Sequence, residues 1–510
     1  MVMARLFGAG FIYDAFLLGF RIPNLSRDLF AEGALSSAFV PAFTTTLAKK
    51  GKTEAAVLAN LVATAIVVII GAFCALGMVF APALVELLAP GFHHVPGKFE
   101  LAVTMTRIMF PFLLLVALAA QAMGVLNACN RFGVPAMSST FFNIGSVGFG
   151  LIAGFLVGPY LHIDKITGMA IGIVLGGALQ LVYQLPSLHR LGFRYHPAFD
   201  WSHTELRQII QLMGPAIIGS AAVQINVMVN TNFASRIPMD GPVSWLGYAF
   251  RFMQFPLGLF GVAIASATLP SISRSVAVGN MDEYRRTLSR SLGVVFLLTV
   301  PSSIGLIVLG KAMIGAIYEG GRFSVNDTNQ TALALSRYAL GLAGYAALKV
   351  IAPAFYALND ARTPMLVSIA SILMNYVAAS YMSARFGFSG LALSTSATAL
   401  FGAIVLFLLL RQRTQGVYGR DLLSSTLRII AASVAMGIVV YASNAWITGH
   451  LPARRLTYLA DLAVSVPVGV AVFYMACRAL RVTELALVAR AIPAAGKSRR
   501  NDNRSSRRPR

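Results

Sequence analysis

Residues 21–41, RIPNLSRDLFAEGALSSAFVP, set Arg21, Arg27, Asp28 and Glu32 close together between apolar flanks. Arg107, Arg251 and Lys349 also fall inside or beside apolar runs, and none of these three has an acid near it in sequence. An ionised side chain in a low-dielectric interior is costly unless it is paired or solvated. Asp28 and Glu32 can pair with Arg21 or Arg27, and Asp14 is the remaining acid read as lying within a span. The surplus of cations is tolerable where such residues line a water-filled cavity that receives an anion. Arginine suits phosphate there, because its planar fork meets two oxygens at once. Arg27 and Arg251 stand at matching places in two repeats, which favours the cavity for them. For Arg107 and Lys349, snorkelling to the interface or a structural pairing stands level with it.

The elements that must hold these residues are membrane helices. The chain of 510 residues has mean hydropathy +0.72 and is 57% hydrophobic and only 12% charged, about half the charge of a soluble domain. Apolar runs long enough to cross a bilayer recur along its length, and the short alternating strands of a β-barrel do not. The pattern predicts an all-α polytopic membrane protein with spans near 11–43, 55–89, 101–127, 134–158, 167–188, 205–234, 245–276, 288–317, 330–357, 364–384, 389–411, 425–447 and 456–480. The net charge of +22 lies in loops and tail, so it is read as topology rather than as a nucleic-acid footprint. Loops carrying Lys49, Lys50 and Lys52, then Arg131, then Arg190 and Arg194, alternate with less basic ones, which predicts that every second loop and the C-terminus face the cytoplasm.

The chain repeats itself at a spacing of 229. Pro41 matches Pro270, Asn130 matches Asn359 and Pro135 matches Pro364, and SAFVPAF aligns with SATLPSI. GFRIPNL resembles AFRFMQF at nearly the same offset. The repeat predicts two parallel six-helix lobes, 1–200 and 201–415, then two extra helices over 416–485 and a basic disordered tail over 486–510. About thirteen spans are visible, and the counterpart of the span at 205–234 would precede residue 1. Pro23, Gly33, Pro256 and Gly258 are hinge candidates, since proline removes a helix bond and glycine permits bending. Asn143, Gln224, Asn226, Asn230 and Asn375 are read as glue between helices.

Catalysis is poorly supported. No histidine, paired-carboxylate or Cys–His set gathers at one membrane face, and Cys74, Cys129 and Cys477 form no spaced pair. No glycine-rich stretch continues into a P-loop lysine. No catalytic or metal-binding residue is assigned, and by elimination the chain reads as a transporter of an anionic, amphiphilic solute.

The segments LFGAG, DAFLLGFRIPNLSRDLFAEGALSSAFVP, GPAIIG, FRFMQFPLGLFGVAIASATLPSISRS and KVIAPAFYALNDARTP resemble the MurJ (MviN) family of lipid II flippases, within the superfamily of multidrug, oligosaccharidyl-lipid and polysaccharide exporters. The resemblance runs from residue 4 to about 480. It implies two lobes around a central cationic cavity, and an outer groove for a lipid tail formed by the last two helices. The implied substrate is the undecaprenyl-diphosphate-linked peptidoglycan precursor, moved across the bacterial inner membrane by alternating access. Membrane lipids and cell-wall synthesis proteins are the other implied partners. Arg27 and Arg251 fall at positions matching family cavity arginines, and Asp14 and Glu32 at those of its important acids. Arg21, Arg107, Lys349 and Gln254 complete the candidate cavity set.

Three departures stand out. The family's first helix, with its arginines, lies outside this chain. The family motif DRLMEFP reads FRFMQFP, with Phe250 and Gln254 where acids stand. Some members bind sodium through acids of the second lobe, but the span holding Asn375 has no Asp or Glu, nor does 205–234 after Glu205. No cofactor is expected, and sodium or the membrane potential is left as the driving force, with the sodium site in doubt. The competing readings are an exporter of another polyprenyl-diphosphate-linked glycan, a drug antiporter of the same superfamily, and a membrane enzyme acting on polyprenyl phosphates.

Overall fold

The computed structural model describes residues 1–27, 36–416, 419–452 and 455–487. Glu32, Gly33 and Asp28 lie outside them. The chain forms two compact units, one of Val2 and Leu6–Ser244, the other of Met1, Met3–Arg5 and the chain from Trp245 onward.

After α1 (Val2–Phe7), the N-terminal unit contains α2 (Phe11–Arg27), α3 (Ser36–Val79), α4 (Ala81–Leu88), α5 (Lys98–Met109), α6 (Phe112–Ala128), α7 (Gly133–Leu151), α8 (Gly158–Leu161), α9 (Lys165–Val182), α10 (Leu185–Arg190) and α11 (Thr204–Ser235). From α12 (Pro242–Pro256) the order continues with α13 (Ala263–Ala277), α14 (Met281–Tyr318), α15 (Val325–Ala339), α16 (Leu342–Ala357), α17 (Arg362–Phe386), α18 (Phe388–Arg413), α19 (Gly419–His450) and α20 (Arg455–Ala479). Among the described residues ten helices are long and apolar enough to cross a membrane, or eleven if α15 and α16, bent by 43°, count as one span. The protein is thus multi-pass and all-α.

The differences from the expected spans have local causes. Gly51, at φ 86° and ψ −178°, breaks α3 where KKGKTE is polar, so the crossing part of α3 begins beyond it. The span expected at 55–89 stops at Val79, and α4 follows Phe80 as a separate short helix. The stretch expected at 11–43 is divided between α2 and α3, with residues 28–35 outside the described set.

The repeat is visible in the backbone. Asn130 and Asn359 are both left-handed, at φ 58° and 57°. Each ends a helix in the same way: Arg131 N–H donates to the Leu126 carbonyl (2.8 Å) and Asp360 N–H to that of Phe355 (3.0 Å), closing the last turn of α6 and of α16.

Each unit then packs its later helices differently. In the N-terminal unit α7 and α9 touch through glycine: a methyl on Gly172 would lie 2.5 Å from the Gly150 Cα, and one on Gly168 2.2 Å from that of Gly154. In the C-terminal unit the pair α17 and α18 carries a buried polar contact, the Ser394 hydroxyl to the Asn375 side chain at 3.5 Å. Asn143, by contrast, donates to Ser139 of its own helix rather than bridging two. The two extra helices dock on α14 through Leu309, Met436 and Val440. They also enclose a buried acid that the sequence reading passed over. Asp461 is fully buried and accepts from Asn444 Nδ2 and the Ser465 hydroxyl, each at 2.6 Å.

Candidate functional site

In the N-terminal unit the candidate residues lie on α2 and α5. Asp14 does not face a solute. It is 0% exposed, and both its oxygens are occupied. Oδ2 accepts from Lys98 Nζ (2.9 Å) and Gly241 N–H (3.1 Å), while Oδ1 accepts from Ser244 N–H (2.8 Å) and the Ser244 hydroxyl. Four donors fill the lone-pair capacity of a carboxylate. Two of them are backbone N–H groups at the start of α12, which a helix leaves unpaired and which a negative charge stabilises. The Asp14 carboxylate thus ties the start of α5 to the start of α12.

Its partner Lys98 opens α5 buried, with Nζ also 4.6 Å from the centre of the Phe92 ring and 3.7 Å from Asp240. A GK pair in a polar stretch gives no hint of burial, because the acid that permits it lies far away in sequence.

Arg21 is half-buried and donates to the Thr231 hydroxyl on α11. Arg27 closes α2 and is half-buried, and Pro23 is buried within that helix. Arg107 is exposed and donates Nε to the Met78 carbonyl (3.2 Å). It thereby satisfies one of the carbonyls that the end of α3 leaves open.

In the C-terminal unit Arg251 and Gln254 are both exposed, three residues apart on α12 and so on one face. Pro256 ends the α-helix, and a π-helical turn, Leu257–Val262, carries the chain into α13. Gly258, exposed in that turn, has nothing within 4 Å of an added methyl. Such turns mark local breaks in helix regularity, and this one begins directly after Pro256 and contains Gly258. The face thus offers a guanidinium and an amide, donors suited to phosphate or sugar oxygens. Lys349 is exposed at the middle of α16.

The register of the two helices alters one pairing. Arg21 follows Phe20 near the middle of α2 as Arg251 follows Phe250 in α12, whereas Arg27 is the last residue of its helix. Arg251 corresponds to Arg21, not to Arg27. Among the described residues no group of three or more His, Cys, Asp or Glu side chains could hold a metal ion.

A family model described as lipid II flippase MurJ matches residues 3–457. The chain is 34% identical over 421 residues to the lipid II flippase MurJ of Burkholderia cenocepacia, covering 82% of this chain and 80% of that one. It is 32% identical over 484 residues to a probable lipid II flippase MurJ of Rhizobium meliloti, covering 92% and 89%. Among solved structures it resembles lipid II flippase MurJ in an inward closed conformation, with TM-score 0.75, 25% identity and coverage of 94% and 95%. An inward-facing multidrug resistance MATE transporter of the MOP superfamily shares the fold at TM-score 0.67 and 13% identity, covering 80% and 91%.

Proposed function

We propose, from the premise that the chain belongs to the lipid II flippase MurJ family, that it carries lipid II from the cytoplasmic to the outer leaflet of the bacterial inner membrane. The observation that carries the reading is the match of nearly the whole chain in sequence and fold to MurJ proteins. The physical reading of the residues agrees with it. A polyprenyl diphosphate is an anion on a lipid, and the candidate residues are cations and an amide: Arg21 and Arg27 in the N-terminal unit, and Arg251, Gln254 and Lys349 in the C-terminal unit. Each is proposed to contact the diphosphate or its sugars as access alternates, with the turn after Pro256 absorbing the bend. The substrate is moved without covalent change.

The orientation is proposed with the basic loops and the C-terminus in the cytoplasm. Contacts within the N-terminal unit agree with the alternation of loops. Lys50 pairs with Glu205, joining the first and fifth connections, and Lys98 approaches Asp240, joining the second and sixth. Sodium is proposed to be dispensable, since Asn375 is buried against Ser394 and α17 carries no carboxylate. Contact with cell-wall synthesis proteins is proposed from the substrate alone.

The test is lipid II exposure on the outer leaflet of cells depleted of their own flippase. The chain restores exposure, Arg27→Ala and Arg251→Ala insert but do not, and replacing sodium by choline changes nothing. Failure of the inserted wild-type chain to expose lipid II overturns the substrate assignment and makes another lipid-linked glycan the leading one.

A further inference from the structure

The segment 191–203 joins α10 to α11 with no regular secondary structure, and it lies along α3. A methyl on Gly192, at φ +78°, would meet Lys52 Nζ at 2.8 Å, so the segment starts beside the polar break at Gly51. Phe193 is buried, with its ring 5.7 Å from that of Phe43. The Ala198 N–H donates to Thr64 Oγ1 (3.1 Å), and the Tyr195 hydroxyl lies 3.3 Å from the same atom. Thr64 is about 20 Å along the helix from Gly51, at 1.5 Å per residue. The segment then returns, and Glu205 pairs with Lys50.

The level this strap reaches can be read from α3. Lys49, Lys52, Thr53 and Glu54 are exposed and polar, whereas Val57 and then Val67, Val68 and Ile69 are exposed and apolar. Thr64 lies between Val57 and the run from Val67, and residues 61–66 are buried. The strap therefore sits where the helix passes from water to hydrocarbon. Irregular backbone is tolerated at the polar boundary and not against hydrocarbon. Its outward side carries Tyr195, Phe199 and Trp201, 51%, 69% and 46% exposed, together with exposed Arg190 and Arg194. Aromatic rings favour the headgroup level, and arginines there attract anionic lipid. Of the nearby acids, Glu205 is paired with Lys50, while Asp200, held by Ser202, keeps its negative charge, so Arg190 and Arg194 leave the strap net positive.

We propose that the strap is a docking surface for anionic phospholipid headgroups, with Arg190 and Arg194 holding the phosphate and Tyr195, Phe199 and Trp201 seated among the glycerol and upper acyl groups. This goes beyond the transport reading and does not depend on it.

The full chain is placed in nanodiscs of phosphatidylcholine, or of phosphatidylcholine with phosphatidylglycerol, and hydrogen exchange is followed in the peptide covering 193–201. Phosphatidylglycerol slows that exchange by at least about threefold, and the Arg190→Gln, Arg194→Gln double variant loses the slowing while exchanging like wild type in phosphatidylcholine alone. Arg207 is left intact because its Nε holds the Trp201 carbonyl. Equal exchange in both lipids for wild type, or slowing that survives in the double variant, overturns the proposal. Slowing reproduced by inorganic pyrophosphate in phosphatidylcholine discs overturns the lipid source and assigns the arginines to a soluble anion.

Discussion

The two units solve the same joint with opposite chemistry. Asp14 and Trp245 are each the fourth residue of their helices, α2 and α12, and each reaches the first turn of a later helix pair, α5–α6 or α15–α16. In the N-terminal unit the partner is Lys98, in a fully buried ion pair. In the C-terminal unit the position 229 residues later is Asp327, which accepts Trp245 Nε1–H at 2.9 Å and closes a capping box with Ser324. The charge reverses again at the loop after the second helix of the pair, where Arg131 becomes Asp360. The left-handed Asn130 and Asn359 beside them do not change. Backbone turns are thus retained between the repeats because the path of the chain demands them, while the charge at a joint is free to invert if local donors or acceptors satisfy it.

Removing one partner from each joint separates the two solutions. Lys98→Met leaves the Asp14 carboxylate buried without its cation and costs about 3–5 kcal/mol. Unfolding of the purified protein in detergent measures this, and adding Asp14→Asn returns part of the loss. Trp245→Phe removes one neutral donor from Asp327, which keeps the Ser324 amide and hydroxyl, so the cost is about 1 kcal/mol. Equal losses from Lys98→Met and Trp245→Phe would erase the distinction between a charged and a neutral joint.

What the sequence made legible follows the range of each interaction. The repeat and the helices rest on local composition or fixed spacing, and so they could be read. The burial of Lys98 could not, because it depends on an acid 84 positions away. Arg107 was left open because its partner is a backbone carbonyl, which every residue possesses and no motif marks. Asp461 lies near the start of its span and looks like an interfacial residue, until Asn444 and Ser465 are seen to enclose it.

The matched asparagines provide a symmetric control. Left-handed backbone strains a residue with a Cβ, and asparagine tolerates it better than alanine. Asn130→Ala and Asn359→Ala should each cost about 1 kcal/mol, and the glycine versions almost nothing. Unfolding midpoints of the four variants check this. A large difference between the two alanine variants would show that one turn is held by its surroundings rather than by its own backbone.

The smallest effect concerns Asp360, where the second unit has an acid and the first a base. Its carboxylate accepts from Thr363 N–H (3.0 Å) and the Thr363 hydroxyl (2.8 Å) at the start of α17, and meets Arg413 at 3.0 Å. These contacts, the Thr363 backbone bond first, hold its pKa below the ordinary carboxylate value. A carboxylate depressed on folding stabilises the native state fully above its unfolded pKa, near 4, and that contribution fades as pH falls through the lower folded value. Acidification from pH 5 toward 3 should therefore release the start of α17, seen as faster hydrogen exchange over residues 362–366. In Asp360→Asn the acid-dependent part of that change should vanish, because no proton is left to bind. The same titration should leave the start of α7 unaltered, since no Asp or Glu lies between Glu100 and Asp164 in the chain. A parallel acid response at both helix starts would place its cause elsewhere than in the inverted charge.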